Sequence, residues 1–184
     1  MRVVLADDHP IMLGGLRVLL QAEPGVEIVA AVPDGATALA MILAHEPEIA
    51  VLDITMPQLT GLDVLEVVEA DGLATRVVLL TGSASDEQIM HAVERGAWGL
   101  LLKESALDTL MECLKTVAAG QRWLPEELVA PAVRRATEHR EKRGQLERVL
   151  TAREYEIAGL WRRVCRTNTS RGRSPSRKGR PKFT

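Results

Sequence analysis

The chain has 184 residues, 46% of them hydrophobic, with 23 basic and 25 acidic side chains and a net charge of −2. That length accommodates one full domain and a small second one. It holds no apolar run of about 18 residues, the start turns acidic at Asp7-Asp8, and the only cysteines are Cys113 and Cys165, so neither a membrane span, a signal peptide, a disulfide frame nor a zinc site is expected, and a reducing cytoplasm is the expected compartment.

The net charge hides an asymmetry. Residues 161–184 carry nine Lys/Arg and no acid, which leaves 14 basic and 25 acidic side chains in the first 160 residues. An acidic body with a basic tail does not bind nucleic acid through the body.

Arg2–Ala6 reads as a first apolar strand, ended by Asp7-Asp8-His9-Pro10. Helical spacing follows through Ile11, Leu16, Leu19 and Leu20, and Pro24-Gly25 stops it. Val26–Val32 is a second strand. Pro33-Asp34-Gly35 turns into a helix through Ala38, Leu39, Ile42 and Leu43. Ile49–Leu52 is a third strand; its continuous apolar run is that of a strand buried on both faces. Pro57 cannot continue it, which puts Asp53 at its carboxyl end.

Thr60 caps a helix carrying Leu62, Leu65 and Val68. Arg76–Leu80 is a fourth strand ending at Thr81. Ser85 and Gln88 have capping-box spacing for a helix through Ile89 and Val93, and Gly96 fits its C-terminal stop. Gly99–Leu102 is a fifth strand ending at Lys103. Ala106–Ala119 is a last helix, with Leu107, Leu110, Leu114 and Val117 on one face.

Five strands alternating with five helices in about 120 residues imply an α/β fold: a doubly wound, five-stranded parallel sheet with helices on both faces. With strand order 2-1-3-4-5, the chain reverses direction between the first and third strands, and ligands bind at such a crevice. Asp7, Asp8 and Asp53 flank it, with Thr81 and Lys103 on the neighbouring strands. Taken singly, an Asp pair is more often a turn or helix cap and a strand-end Lys more often surface. Here all of them fall on one edge.

Three carboxylates within reach of one another repel unless a divalent cation joins them, and a hard ion such as Mg²⁺ suits carboxylates and carbonyls. Asp53 is then a candidate nucleophile that forms an aspartyl-phosphate. Lys103 supplies a point charge and Thr81 a hydroxyl for phosphoryl oxygens. A hydrolase of the same fold would need its own acid/base group beside the nucleophile, but Thr55 stands two residues after Asp53. His9, His45, His91 and His139 show no metal-ligand spacing and read as surface; Cys113 reads as a small core residue.

With the acidic pair Asp7-Asp8, Asp53 followed by Met56-Pro57 and Gly61, Thr81, and Lys103 after Gly96-Ala97-x-Gly99, residues 1–120 resemble the receiver domain of two-component response regulators, a flavodoxin-like fold. The resemblance implies that Asp53 is the phosphoacceptor. It implies that Asp8 and Asp53 bind Mg²⁺ directly, Asp7 through water, and that the Thr55 backbone carbonyl completes the set. Thr81 and Lys103 hold the phosphoryl group, and the donor is a phosphohistidine on a sensor histidine kinase. A receiver accepts and slowly loses a phosphoryl group and is not a turnover enzyme on a separate substrate. Two positions depart from the family. Leu100 stands where relatives carry a Tyr or Phe that turns inward on activation, and Trp98 lies on the opposite face and does not replace it. Glu104 follows Lys103 where many relatives have Pro or Asp.

Residues 121–149 read as a charge-rich, partly helical linker, with Trp123 left open between anchoring it on the receiver and standing exposed. In residues 150–160, Thr151 and Glu154 form a capping box before Tyr155, Ile157 and Leu160. Behind a receiver this resembles the opening helix of the LuxR-type helix-turn-helix domain, and the whole resembles the NarL/FixJ subfamily of transcription regulators. The turn and recognition helices that should follow, completing an all-α DNA-binding domain, are missing. Residues 161–184 have the composition of a disordered basic tail. Shifting the codon frame by one base lets Val164–Ser170 encode Leu-Ser-Asn-Lys-His-Ile-Ala, which resembles the lost helices and points to a single-base deletion after Leu160. The expected partners are a sensor kinase, a second copy through the receiver, and DNA bound weakly and without sequence preference. The residues that would contact DNA are not identified by the sequence.

Overall fold

The computed structural model describes residues 1–135. The expectations for the rest of the linker, for residues 150–160 and for the tail 161–184 lie outside the described residues.

The elements alternate throughout: β1 (Arg2–Ala6), α1 (Pro10–Gln21), β2 (Glu27–Val32), α2 (Gly35–His45), β3 (Ile49–Asp53), α3 (Gly61–Ala70), β4 (Arg76–Thr81), α4 (Asp86–Glu94), β5 (Gly99–Leu102) and α5 (Lys103–Ala118). The strands form one sheet in the order β2-β1-β3-β4-β5, every pairing parallel. This is the doubly wound, flavodoxin-like architecture expected from the alternation.

Successive side chains of a strand face opposite sides of a sheet, and the two cores follow that period. Val4, Ala6, Ala50, Leu52, Val77, Leu79 and Leu100 face α2, α3 and α4. Val3, Leu5, Ile49, Val51, Val78, Leu80 and Leu101 face α1 and α5. The three inner strands β1, β3 and β4 are almost wholly buried, whereas edge strand β2 is only half-buried. Leu16 and Leu20 of α1 are buried as the spacing predicts, but Ile11 is 92% exposed and belongs to no core. Leu107 likewise stands half out of the α5 face that Leu110, Leu114 and Val117 bury. Cys113 is a core residue of α5, and burial pushes its thiol up to about 12, which leaves it protonated and inert.

The helix starts follow their capping residues. Asp34 accepts from the Thr37 amide at the start of α2, and Thr60–Asp63 and Ser85–Gln88 each close a capping box on α3 and α4. Gly96, at φ 86°, takes the left-handed position after α4 that a side chain would resist. The start of α5 differs from expectation: the helix begins at Lys103 itself, three residues before Ala106, with no side-chain cap on its first amides. Strand β5 runs straight into α5, so no turn residue marks the junction in the sequence.

The described chain does not leave the sheet after Gly120. Trp123 pairs with Gly99 in a parallel bridge, donating its N–H to the Trp98 carbonyl at 2.8 Å and accepting from Leu100 at 2.9 Å. It therefore anchors the following segment on the edge of β5. Residues 126–135 are helical; within them Ala132 is fully buried in the same core as Leu100, and Arg135 bonds both carboxylate oxygens of Asp86 at 2.9 Å.

Candidate functional site

Register places the strand-end residues level with one another. Ala6 lies opposite Leu52, which sets Asp7 beside Asp53. Asp53 lies opposite Leu80, and Thr81 opposite Leu102, so Lys103 follows one residue further along the same edge. The loop after β3 folds back on itself: Gly61 donates its N–H to the Ile54 carbonyl at 3.0 Å. That brings the first residue of α3 against the Asp53 carbonyl, where a Cβ on residue 61 would collide with the Asp53 oxygen. The glycine eight residues after Asp53 is thus a condition for placing the aspartate.

The side chains converge at that edge. Asp7 is fully buried and Asp53 is 3% exposed. Lys103 Nζ lies 2.7 Å from Asp53 Oδ2 and 3.0 Å from Asp7 Oδ1, and its side chain is only 14% exposed. Desolvation works to lower the Lys103 ammonium, but its hydrogen bonds to Asp53 and Asp7 prevail and hold it above the ordinary lysine value. Burial pushes the Asp53 carboxyl above the usual aspartate range, against the pull of Lys103, and the neighbouring Asp7 carboxylate adds to the rise. Asp53 Oδ1 also accepts from the Thr55 amide at 3.3 Å.

The structure brings Asp7, Asp8 and Asp53 together as the sequence predicts, and adds His9. One ligand atom from each of the four lies within 4.8 Å of all the others. The spacing of His9 predicts a surface residue, and its ring is 67% exposed, yet Nδ1 sits 2.6 Å from Asp8 Oδ1. Nothing in its spacing reveals this, because the two carboxylates it meets, Asp7 and Asp8, are its immediate neighbours in the chain. Thr81 is buried at the end of β4, two strands from Asp7. Thr55 is exposed, with its amide turned toward Asp53.

Leu100 is fully buried in the core shared with α3 and α4, whereas Trp98 packs with the α1–α5 core and carries Arg76 at 5.0 Å over its ring. The two residues face opposite sides of the sheet, so Trp98 does not stand in for an aromatic at Leu100.

The donor set fits a hard divalent cation. Three carboxylates face one ammonium, which leaves negative charge unbalanced when all are ionised. Asp7 Oδ2 lies 2.9 Å from Lys103 Nζ but out of hydrogen-bond alignment, and it is a buried acceptor without a hydrogen-bond partner. A divalent ion held by these carboxylates would relieve both conditions. Mg²⁺ at ten times its dissociation constant should therefore stabilise the protein by about 1.4 kcal/mol, a rise of a few degrees in Tm, and Asp8→Ala should abolish the rise. Thermal melts with and without millimolar Mg²⁺ check this; a wild-type Tm that ignores Mg²⁺ would mean the pocket does not bind it.

Residues 3–115 match the family model of the response regulator receiver domain. The chain is 35% identical over 128 residues to the nitrate/nitrite response regulator protein homolog of Haemophilus influenzae, a match covering 70% of this chain and 62% of that protein. It is 33% identical over 159 residues to the nitrate/nitrite response regulator protein NarP of Escherichia coli, covering 85% of this chain and 72% of that one. Among solved structures, the signal receiver domain of the response regulator NarL from Mycobacterium tuberculosis superposes with a TM-score of 0.63 at 36% identity, over 65% of this chain and 97% of that one. This chain thus spans less than two thirds of the length of the first of these relatives.

Proposed function

The chain belongs to the response regulator receiver family, and from that premise we propose that it receives a phosphoryl group on Asp53 from a sensor histidine kinase and passes the signal on as a two-component regulator of the transcription-controlling type. The observation that carries this is the pairing of Lys103 Nζ with both Asp53 and Asp7 at the carboxyl edge of the sheet.

The chemistry follows from the side chains. An Asp53 carboxylate oxygen attacks the phosphorus of the phosphohistidine. The P–O bond forms as the P–N bond breaks, and the leaving imidazole takes up a proton. Mg²⁺, when bound, offsets the charge on the transferring phosphoryl oxygens. Asp7, Asp8, Asp53 and the Thr55 carbonyl would hold it. The Lys103 ammonium and the Thr81 hydroxyl hold the phosphoryl oxygens once the acyl phosphate has formed. Burial of Asp7 and Asp53 limits the access of bulk water to the acyl phosphate. Labelling from a small phosphodonor in the presence of Mg²⁺ tests this half of the proposal: Asp53→Asn should abolish it.

The output half concerns DNA. Sequence is read by side chains that a recognition helix carries into the major groove. Helical periodicity in this sequence ends at Leu160, while nine Lys/Arg follow it. These can neutralise phosphates without reading bases. DNA binding is therefore expected to be weak, indifferent to sequence and lost between low and physiological salt. A gel-shift titration with specific and scrambled promoter DNA at about 150 mM salt checks this, and a clear preference for one sequence would overturn it. The same break in periodicity favours one second reading: a receiver module that acts through protein contacts alone, including pairing with a second copy of itself.

A further inference from the structure

We propose that His9 is a positioning residue for the cation-binding carboxylates. Its main chain and its ring each fix one of them, and together they set which oxygens face the ion and raise the pocket's affinity for Mg²⁺. The inference rests on the reading of Asp7, Asp8 and Asp53 as a Mg²⁺ pocket.

His9 occupies the N-cap of α1, with φ −94° and ψ 107°. A side chain there ordinarily accepts from the first free amides of the helix. His9 makes no such bond. Its ring is turned back toward the sheet edge, with Nδ1 2.6 Å from Asp8 Oδ1 and 3.2 Å from Asp7 Oδ1. Lys103 Nζ lies 3.3 Å from the same nitrogen. The His9 N–H donates to Asp7 Oδ1 at 2.8 Å. One residue therefore holds both members of the acidic pair, one through its backbone and one through its ring.

The local sequence sets this up. Pro10 is the first residue of α1, and a residue before proline is kept out of the helical region. His9 is thus held in an extended conformation at the start of α1, while its amide is taken by Asp7 in the turn that follows β1. With a ring 67% exposed, apolar packing does not account for its orientation. Polar attraction to the carboxylates does.

The consequence is a division of oxygens. Asp7 Oδ1 takes the His9 amide and a hydrogen bond from the Lys103 ammonium, while Asp7 Oδ2 faces that ammonium at 2.9 Å without a hydrogen bond. Asp8 Oδ1 takes the His9 ring, and its other oxygen would then be the one to hold an ion. Groups that hydrogen-bond a ligating carboxylate orient it, and removing one costs about 10–100-fold in metal affinity. The exposure of His9 places the expected loss at about tenfold, the low end of that range.

Calorimetric Mg²⁺ titration of the full chain at a fixed pH tests the proposal, with His9→Ala, His9→Asn and His9→Gln beside the wild type and Asp8→Ala as the reference for a lost site. The expected result is about tenfold weaker Mg²⁺ binding by His9→Ala with an unchanged metal-free melt. Asn places its amide N–H near the position of Nδ1 and should recover most of the affinity. Gln extends past that position and should not. Wild-type affinity in His9→Ala, or an Asn variant as weak as the Ala variant, would overturn the role of His9. Absence of Mg²⁺ binding in the wild type would instead overturn the pocket itself, so the two failures are distinguishable.

Discussion

Replacing Lys103 with alanine should be among the most damaging single changes at the site in the metal-free protein, costing about 2–3 kcal/mol. The variant leaves Asp7 and Asp53 buried and adjacent with no cation between them. Breaking a buried ion pair by removing one partner costs about 3–5 kcal/mol in general. The lower figure is expected here because Asp8 and His9 on the rim are solvated. Mg²⁺ should restore much of the lost stability, since it supplies the missing positive charge. The deficit should also depend on pH. Burial already raises the folded-state pKa of Asp53, and Lys103 opposes that rise. Without Lys103 the folded pKa climbs further above the unfolded value. A group with a raised folded pKa stabilises at pH below its unfolded value and loses that contribution as pH rises through the folded one. The deficit of Lys103→Ala is therefore greatest near neutral pH and shrinks in acid. Melting curves across pH, with and without Mg²⁺, measure it. A metal-free variant that melts like the wild type at neutral pH would mean that the two carboxylates do not depend on the ammonium.

Gly61→Ala should unsettle both the fold and the placement of Asp53. The added Cβ would collide with the Asp53 carbonyl oxygen and lie 3.2 Å from Leu79 Cδ2. Neither neighbour is the free end of an exposed side chain, so the start of α3 or the end of β3 has to move. Overpacking of this kind costs about 1–3 kcal/mol and occasionally more. A shift of about 1 Å in a reacting group can slow a reaction on the order of 100-fold, so phosphoryl acceptance should fall by more than stability alone accounts for. Gly14→Ala is the contrast. No atom lies within 4 Å of a Cβ there, and alanine in a helix gains about 0.5–1 kcal/mol over glycine. Melting and labelling rates of the two variants side by side decide the matter. A Gly61→Ala protein that melts and labels like the wild type would show that the close approach is not needed.

The framework of the site is legible in the sequence for a simple reason. Each strand of a doubly wound sheet ends at the same edge, so a polar residue terminating an apolar run is already assigned to that edge before any coordinates exist. Asp7, Asp53, Thr81 and Lys103 are all of this type. The order 2-1-3-4-5 then brings the first and third strands together, and with them the carboxylates. Contacts that depend on a turn of the backbone are harder to read. His9 has no long-range pattern, and its contacts with Asp7 and Asp8 arise in the turn that follows β1. Trp123 pairs with the edge of β5 through its backbone, and backbone pairing leaves no mark on residue type. Ile11 fits the apolar spacing of α1 and yet lies on the solvent side, because a helix start can project beyond the sheet that its later turns cover.

Asp53 is expected to take the phosphoryl group in a pocket completed by Mg²⁺. The most direct measurement is the intact mass of the full chain after incubation with a small phosphodonor, with and without Mg²⁺, for the wild type and Asp53→Asn. The expected result is a single phosphoryl addition to the wild type that requires Mg²⁺ and is absent from the variant. Equal addition to Asp53→Asn, or a wild type that stays unmodified while binding Mg²⁺, would contradict it.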